Sequence, residues 1–278
     1  MLLSAPLKFP TSKYIDEGQQ PKSLRHQDDL LKAFAKDELN VDIQNLNIPS
    51  TPGVDKVDNL WLIKRPEEFR IRILMVFNQC WLNSTFPQIL KPTIIKTVFE
   101  MQKPSNDTKS YRPISILLCL GKLLEKIVYK RLEWIMEKNK LIQAEQTGFR
   151  KHHSTLDNMV RLKFFIKTGF EEGKISVEVL YDFEGAYNNG AILSTLLFLL
   201  FVSDLKTSTT VDIRGMFADN LLTYYKNNSI EEASKSAKTT LEEIHQYSKD
   251  HGVPLPTEKA KVIVFHRERN PSQIQRSG

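Results

Sequence analysis

The sequence predicts an α+β fold: helices dominate the first part, and the last hundred residues run β-α-β-β-α-β. Three observations carry this. VEVLYDF (Val177–Phe183) alternates as a strand does, and AKVIVFH (Ala260–His266) reads as a final strand. Apolar residues at Leu117, Leu120, Leu124, Ile127, Val128, Leu132 and Ile135 step by threes and fours, as on one face of a long helix. RGMFADNLLTYY (Arg214–Tyr225) sets two short apolar arms around the polar knot Asp219-Asn220, the pattern of a hairpin with an acid at its tip. With 278 residues and 41% hydrophobic content, the chain can bury a real core.

Residues 1–50 are polar and rich in Pro, Gln and Asp. They read as a loosely packed extension with one helix around Asp29 to Asp37. STPGVD (Ser50–Asp55) is a turn. Pro66 opens a helix, where a missing N–H costs nothing, and Phe69, Ile73, Val76, Phe77, Cys80 and Trp81 mark its core face. The β-branched run after Pro92 predicts a strand. YRPIS (Tyr111–Ser115) is extended, because the residue before a proline avoids the helical region, and the long amphipathic helix with a basic outer face follows. A loop holding QTGFRKHHST (Gln146–Thr155) leads into a helix capped by Ser154 or Thr155 that ends near Gly173. Then come the strand Val177–Phe183, an apolar helix Ala191–Leu205 and hairpin arms Thr210–Phe217 and Leu221–Tyr225. A helix stopping at Gly252 and the strand Ala260–His266 complete the ferredoxin-like order.

The net charge is +6, yet residues 91–170 alone hold 16 Lys/Arg against 7 Asp/Glu. A basic lobe beside a near-neutral one suggests either a polyanion partner or solvated helix faces. Cys80 and Cys119 lie in apolar helical patterns and read as buried thiols, and the histidines make no metal spacing. The N-terminus lacks the basic start and sustained apolar run of a signal peptide. Ile192–Val202 is too short to cross a bilayer as a helix. These features predict an intracellular protein, nuclear or cytoplasmic, with no membrane segment.

In a ferredoxin-like sheet the first strand is central and one hairpin arm pairs beside it. Asp182 at the end of that strand and Asp219 at the hairpin tip can then meet at one sheet edge. Two carboxylates held that close repel unless a cation lies between them. Mg²⁺ suits them, with hard oxygen ligands and positions left open for phosphate. Taken singly, each acid also reads as a turn former or a strand-end charge.

YDFEGAYNN, GAILSTLLFLLFVSDL, MFADNLLTYY and LPTEKAKVIVFH resemble, in order, motifs A, B, C and D of reverse transcriptases. QKPSNDTKSYRPISILLCLGKLLEKIVYKRL and QTGFRKHHST resemble the fingers motifs of non-LTR, jockey-like retrotransposon polymerases. The resemblance covers roughly Thr51 to Arg267. It implies helical fingers over 51–173, a ferredoxin-like palm over 174–267, a disordered tail over 268–278 and no thumb. It also implies RNA-directed DNA polymerisation from dNTPs on an RNA template and DNA primer, with Mg²⁺, or Mn²⁺ in its place. By this resemblance Asp182 and Asp219 hold the metal, and Asn220 completes the catalytic tip. Lys103 and Arg112 grip the triphosphate, Tyr187 excludes a ribose 2′-hydroxyl and Lys259 lies near the pyrophosphate. Gln146, Gly148, Phe149 and Arg150 follow the template.

The sequence departs from the pattern in three places. The tip reads Asp219-Asn220 where two aspartates are the rule. Motif B keeps only Gly190, Leu193 and Ser194, with Thr195 in place of proline. Asn189-Gly190 joins motifs A and B with no intervening segment. These departures predict a weak or inactive copy. The alternatives are a nucleic-acid-binding module without chemistry and a decayed transposon relic.

Overall fold

The computed structural model describes residues 32–183, 191–205, 213–255 and 260–266. Helices and strands mix as an α+β chain requires. Helix α1 spans Lys36–Gln44, α2 Asn59–Ile63 and α3 Glu67–Leu82. A two-stranded antiparallel sheet follows, β1 (Thr93–Phe99) with β2 (Tyr111–Leu117), then α4 (Cys119–Lys138) and α5 (Thr155–Glu171). The remainder is β3 (Ile175–Asp182), α6 (Ile192–Phe201), β4 (Ile213–Phe217), β5 (Asn220–Asn227), α7 (Ile230–His251) and β6 (Lys261–Phe265).

The helical part has its own core. Leu39 and Ile43 of α1, Ile73 and Phe77 of α3, and Leu123, Leu124 and Ile127 of α4 are buried together with Phe34 and Leu62. Of the helix expected around Asp29 to Asp37, residues 29–31 lie outside the described residues, 32–35 are not helical, and α1 begins at Lys36. Glu38 accepts the Ala35 N–H at 2.6 Å, which satisfies one of the donors that a helix start leaves open. Val76, expected in the core, is exposed, because the buried stripe of α3 runs through Ile73 and Phe77 and leaves Val76 on its flank. Cys119 is buried and Cys80 half-buried; both are free thiols, pushed up by burial.

The basic face expected on the outside of α4 is turned partly inward. Lys126 and Lys130 both reach the buried carboxylate of Asp42 on α1. Arg131 donates to both oxygens of Glu38, at 3.1 and 2.8 Å, and to the Ala33 carbonyl at 2.9 Å. A buried carboxylate is tolerated only when paired, so α1 and α4 are held together by charge as well as by the leucines between them.

The four-stranded sheet has the order β4-β5-β3-β6, and every neighbouring pair is antiparallel. This is the central-first-strand arrangement that the β-α-β-β-α-β succession predicts. One face packs Val177, Val179, Tyr181, Leu221 and Tyr225 against Phe198 of α6 and Ala233 and Ile244 of α7. The other face meets α5, where the ring centroids of Phe165 and Tyr224 lie 5.6 Å apart. Ser154 caps α5, with its side chain accepting from Leu156 N–H at 3.2 Å. Gly252 ends α7 in the left-handed region at φ +67°, the conformation a helix C-cap favours and a Cβ resists. Among the described residues no helix is long and apolar enough to cross a membrane.

Candidate functional site

The β3–β5 register places Asp182 directly opposite Asn220. The next residue along, Phe183, donates its N–H to the Asp219 carbonyl at 3.0 Å. Asp182 and Asn220 therefore form a non-hydrogen-bonded pair, where opposed side chains share a face and Cα atoms come within about 4.5 Å. Asp219 is at the turn beside them. Its carboxyl is raised above the ordinary aspartate range, first by burial and then by the charge of Asp182, while Arg112 acts in the opposite direction. The two acids expected to converge are thus close enough to feel each other. Asn220 is not idle: its Nδ2 donates to Asp219 Oδ1 at 3.3 Å.

The hairpin tip differs by one residue from the expected knot. Phe217 pairs with Asn220, so the two loop residues are Ala218 and Asp219, and Asn220 begins β5. Ala218 has φ +56°, a region in which L-residues are uncommon and hairpin turns usually place glycine. The backbone at this residue is held from outside. Gln146, 1% exposed, accepts the Ala218 N–H at 3.1 Å through Oε1 and donates to the Ala218 carbonyl at 3.2 Å through Nε2. The same Oε1 accepts the Gly148 N–H at 2.9 Å. On either side of Gln146, Met216 N–H donates to Glu145 O at 3.0 Å and Thr147 N–H to Met216 O at 2.9 Å. The loop expected to follow a template is therefore laced along β4, and its Gln146 side chain is committed to the turn.

Gly148 is there for space. A Cβ on it would lie 2.0 Å from Ala218 N and 2.8 Å from Ala218 Cα. Arg150 is also committed: it pairs with both oxygens of Glu137 at 2.8 and 2.7 Å and donates to the carbonyls of Gln143 and Gln146 at 3.1 and 2.9 Å. That pairing holds the Glu137 carboxyl below the usual range. Of the four residues expected along a template, Phe149 is the one with a broadly exposed side chain.

Lys103 and Arg112 come together on one carboxylate. Glu100, at the end of β1, meets Arg112 Nε through Oε1 and Lys103 Nζ at 2.6 Å through Oε2. Arg112 remains 68% exposed and Lys103 48%. Two cations thus share one carboxylate, and one of them, Arg112, is in electrostatic reach of Asp219. Tyr187 and Lys259 lie outside the described residues.

The groups able to hold a cation are Asp182, Asp219 and the side-chain oxygen of Asn220. Among the described residues no three His, Cys, Asp or Glu side chains form a metal cluster. The remaining ligands would have to come from phosphate and water, as is usual for Mg²⁺. Three participants escaped sequence reasoning. Gln146 as a turn holder carries no signal beyond being an amide next to a glycine. Glu100 is one acid in a basic lobe. Glu125 of α4 accepts the Ile192 N–H at 2.8 Å and so caps α6 from a distance of 67 residues in the chain.

Residues 101–189 match the family described as reverse transcriptase (RNA-dependent DNA polymerase). The chain is 30% identical, over 57% of its length, to a probable RNA-directed DNA polymerase from transposon BS of Drosophila melanogaster, covering 17% of that protein. It is 22% identical over 84% of its length to the RNA-directed DNA polymerase from mobile element jockey of the same fly, covering 32% of it. It is 29% identical over 61% of its length to a Pol polyprotein from the type-1 retrotransposable element R1 of Bradysia coprophila, covering 17%. The chain spans at most about a third of the length of these relatives.

Proposed function

We propose that this chain, whose residues 101–189 match the reverse transcriptase family and whose relatives include the RNA-directed DNA polymerases of jockey and other non-LTR retrotransposons, is the fingers and palm portion of such a polymerase, with weak nucleotidyl transfer of its own. In this reading the β4-β5-β3-β6 sheet is the palm and the helical lobe with β1 and β2 the fingers. The observation that carries it is the register-fixed meeting of Asp182 with the Asp219-Asn220 tip, opposite Arg112. The donor set fits a small hard cation: two carboxylates, one of them raised by burial and by its neighbour's charge, gain when a dication replaces a proton. Bound there, Mg²⁺ would activate a primer 3′-hydroxyl and offset charge on the departing pyrophosphate. Arg112 and Lys103 would take the triphosphate, since guanidinium and ammonium groups match phosphate oxygens. An RNA template, a DNA primer and dNTPs are the partners this implies.

Two features support low activity. Asn220 supplies an amide where a second charge would otherwise face the cation, and that amide is turned to Asp219. The jockey alignment spans 293 positions while using 84% of this chain's 278 residues, so it contains about sixty positions the chain lacks. That supports an internal deletion, which in this reading falls at the direct junction of motifs A and B, Asn189-Gly190. Mg²⁺-dependent primer extension on a poly(rA) template tests the reading. Trace extension, lost in Asp182→Ala, is the expected result; robust synthesis that Asp182→Ala abolishes would overturn the claim of weakness. RNA affinity indifferent to Mg²⁺ and to loss of both aspartates, with no extension at all, would favour a binding module instead.

A further inference from the structure

We propose that Gln146 is a positioning residue for the acidic tip: its side-chain amide sets the backbone of the Ala218-Asp219 turn and thereby the cation affinity of Asp182 and Asp219. The inference rests on the reading of those two acids as cation ligands, and it gives Gln146 a different task from contact with a template. Three hydrogen bonds carry it, two of them to Ala218 and one to the Gly148 N–H. Ala218 sits at φ +56°, a region uncommon for L-residues, and a residue over-determined by its surroundings can be kept there. Gln146 satisfies both backbone groups of Ala218 at once, so a slackened amide would free the turn to relax toward negative φ. Asp219, the next residue, would then swing away from Asp182. Gly148 supports the same geometry by letting the loop approach to a distance that no Cβ would permit. Thr147 and Asn158 anchor the loop from below: Thr147 Oγ1 donates to the Met216 carbonyl at 3.0 Å, and Asn158 Nδ2 donates to both Thr147 Oγ1 and Met216 O. The turn is thus fixed by a fingers-side loop although the acids belong to the sheet.

The test is Mn²⁺ affinity of the full chain, measured by titration well below the melting temperature. Gln146→Met, close in size but without the hydrogen bonds, and Gly148→Ala should each weaken Mn²⁺ binding by about 10- to 100-fold, the usual effect of losing an outer partner of a metal ligand. Phe77→Leu in the separate helical core lowers the melting temperature and should leave the affinity unchanged, which separates positioning from loss of stability. A variant-free arm uses amide hydrogen exchange in the wild-type chain. Because coupling is reciprocal, Mn²⁺ should slow exchange at Ala218 and Gly148, the two amides that Gln146 holds. Wild-type affinity for Mn²⁺ that vanishes in Asp182→Asn but is untouched in both Gln146→Met and Gly148→Ala would overturn the inference and leave the underlying reading intact. Mn²⁺ binding indifferent to Asp182→Asn and Asp219→Asn would overturn both. Unaltered exchange at Ala218 and Gly148 on Mn²⁺ binding would also overturn the inference, whatever the variants do.

Discussion

Asp219 is the residue at which charge and fold oppose each other. Its carboxyl is raised by burial and by Asp182, so the folded protein holds that proton more tightly than the unfolded chain. The stability linked to it is present below the ordinary aspartate value of 3.8 and is lost as pH rises through the raised native value. Asp219→Asn should therefore gain on the wild type in urea melts as pH rises across that window, and Mn²⁺ at neutral pH should close the difference by stabilising only the wild type. A gap independent of pH would contradict burial and the Asp182 charge as the cause. Glu100 makes the complementary case. It occupies both cations that a triphosphate would need, and Lys103 and then Arg112 hold its carboxyl below the usual range. Glu100→Gln should tighten dTTP binding by about three- to tenfold, the worth of one or two exposed ion pairs. Arg112→Ala should weaken binding in either background, and titration calorimetry reads both effects.

Among the elements, α6 depends on a partner outside itself. Its N-cap is Ala191, which offers no side-chain acceptor, and Glu125 of α4 supplies one. Glu125→Ala should cost about 0.5–2 kcal/mol of stability, as losing a helix cap does, and Glu125→Gln less, since it keeps the acceptor oxygen. Thermal melting distinguishes them, and equal losses would assign the effect to packing instead. Element by element, much of the fold could be read in advance, because periodicity speaks for α3 and α4, end signals for α5 and α7, and alternation for β3. The hairpin shows where local pattern stops being enough. Asp219 and Asn220 both favour turns, so the sequence points to them as the knot. The register instead puts Ala218 into the turn, because Gln146, 72 positions away, meets the hydrogen-bonding needs of its backbone. No local propensity can announce a contact of that span. The inward turn of Lys130 and Arg131 is hidden for the same reason, since their partners Asp42 and Glu38 lie in a segment whose composition suggests looseness.

For the whole molecule, the consequence of those internal pairs is a weaker electrostatic grip than composition implies. Sixteen cations lie in residues 91–170, but Lys103, Arg112, Lys126, Lys130, Arg131, Arg150 and Lys151 face carboxylates of the same chain. If all sixteen met phosphates, the salt slope for single-stranded RNA would be about −11. Filter binding from 50 to 200 mM salt should give a slope of no more than about half that size; a slope near −11 would mean that the internal pairs open on binding.

The chemistry proposed for this chain turns on Asp182 and Asp219 acting together on one cation. Sub-stoichiometric Mn²⁺ added to ¹⁵N-labelled protein reports this residue by residue, because the ion broadens amide signals in its vicinity. Selective loss of the Asp182, Phe183, Asp219 and Asn220 signals, abolished by Asp182→Asn, is the expected result. Broadening spread over surface acids such as Glu67 and Glu68, with those four amides left sharp, would contradict it.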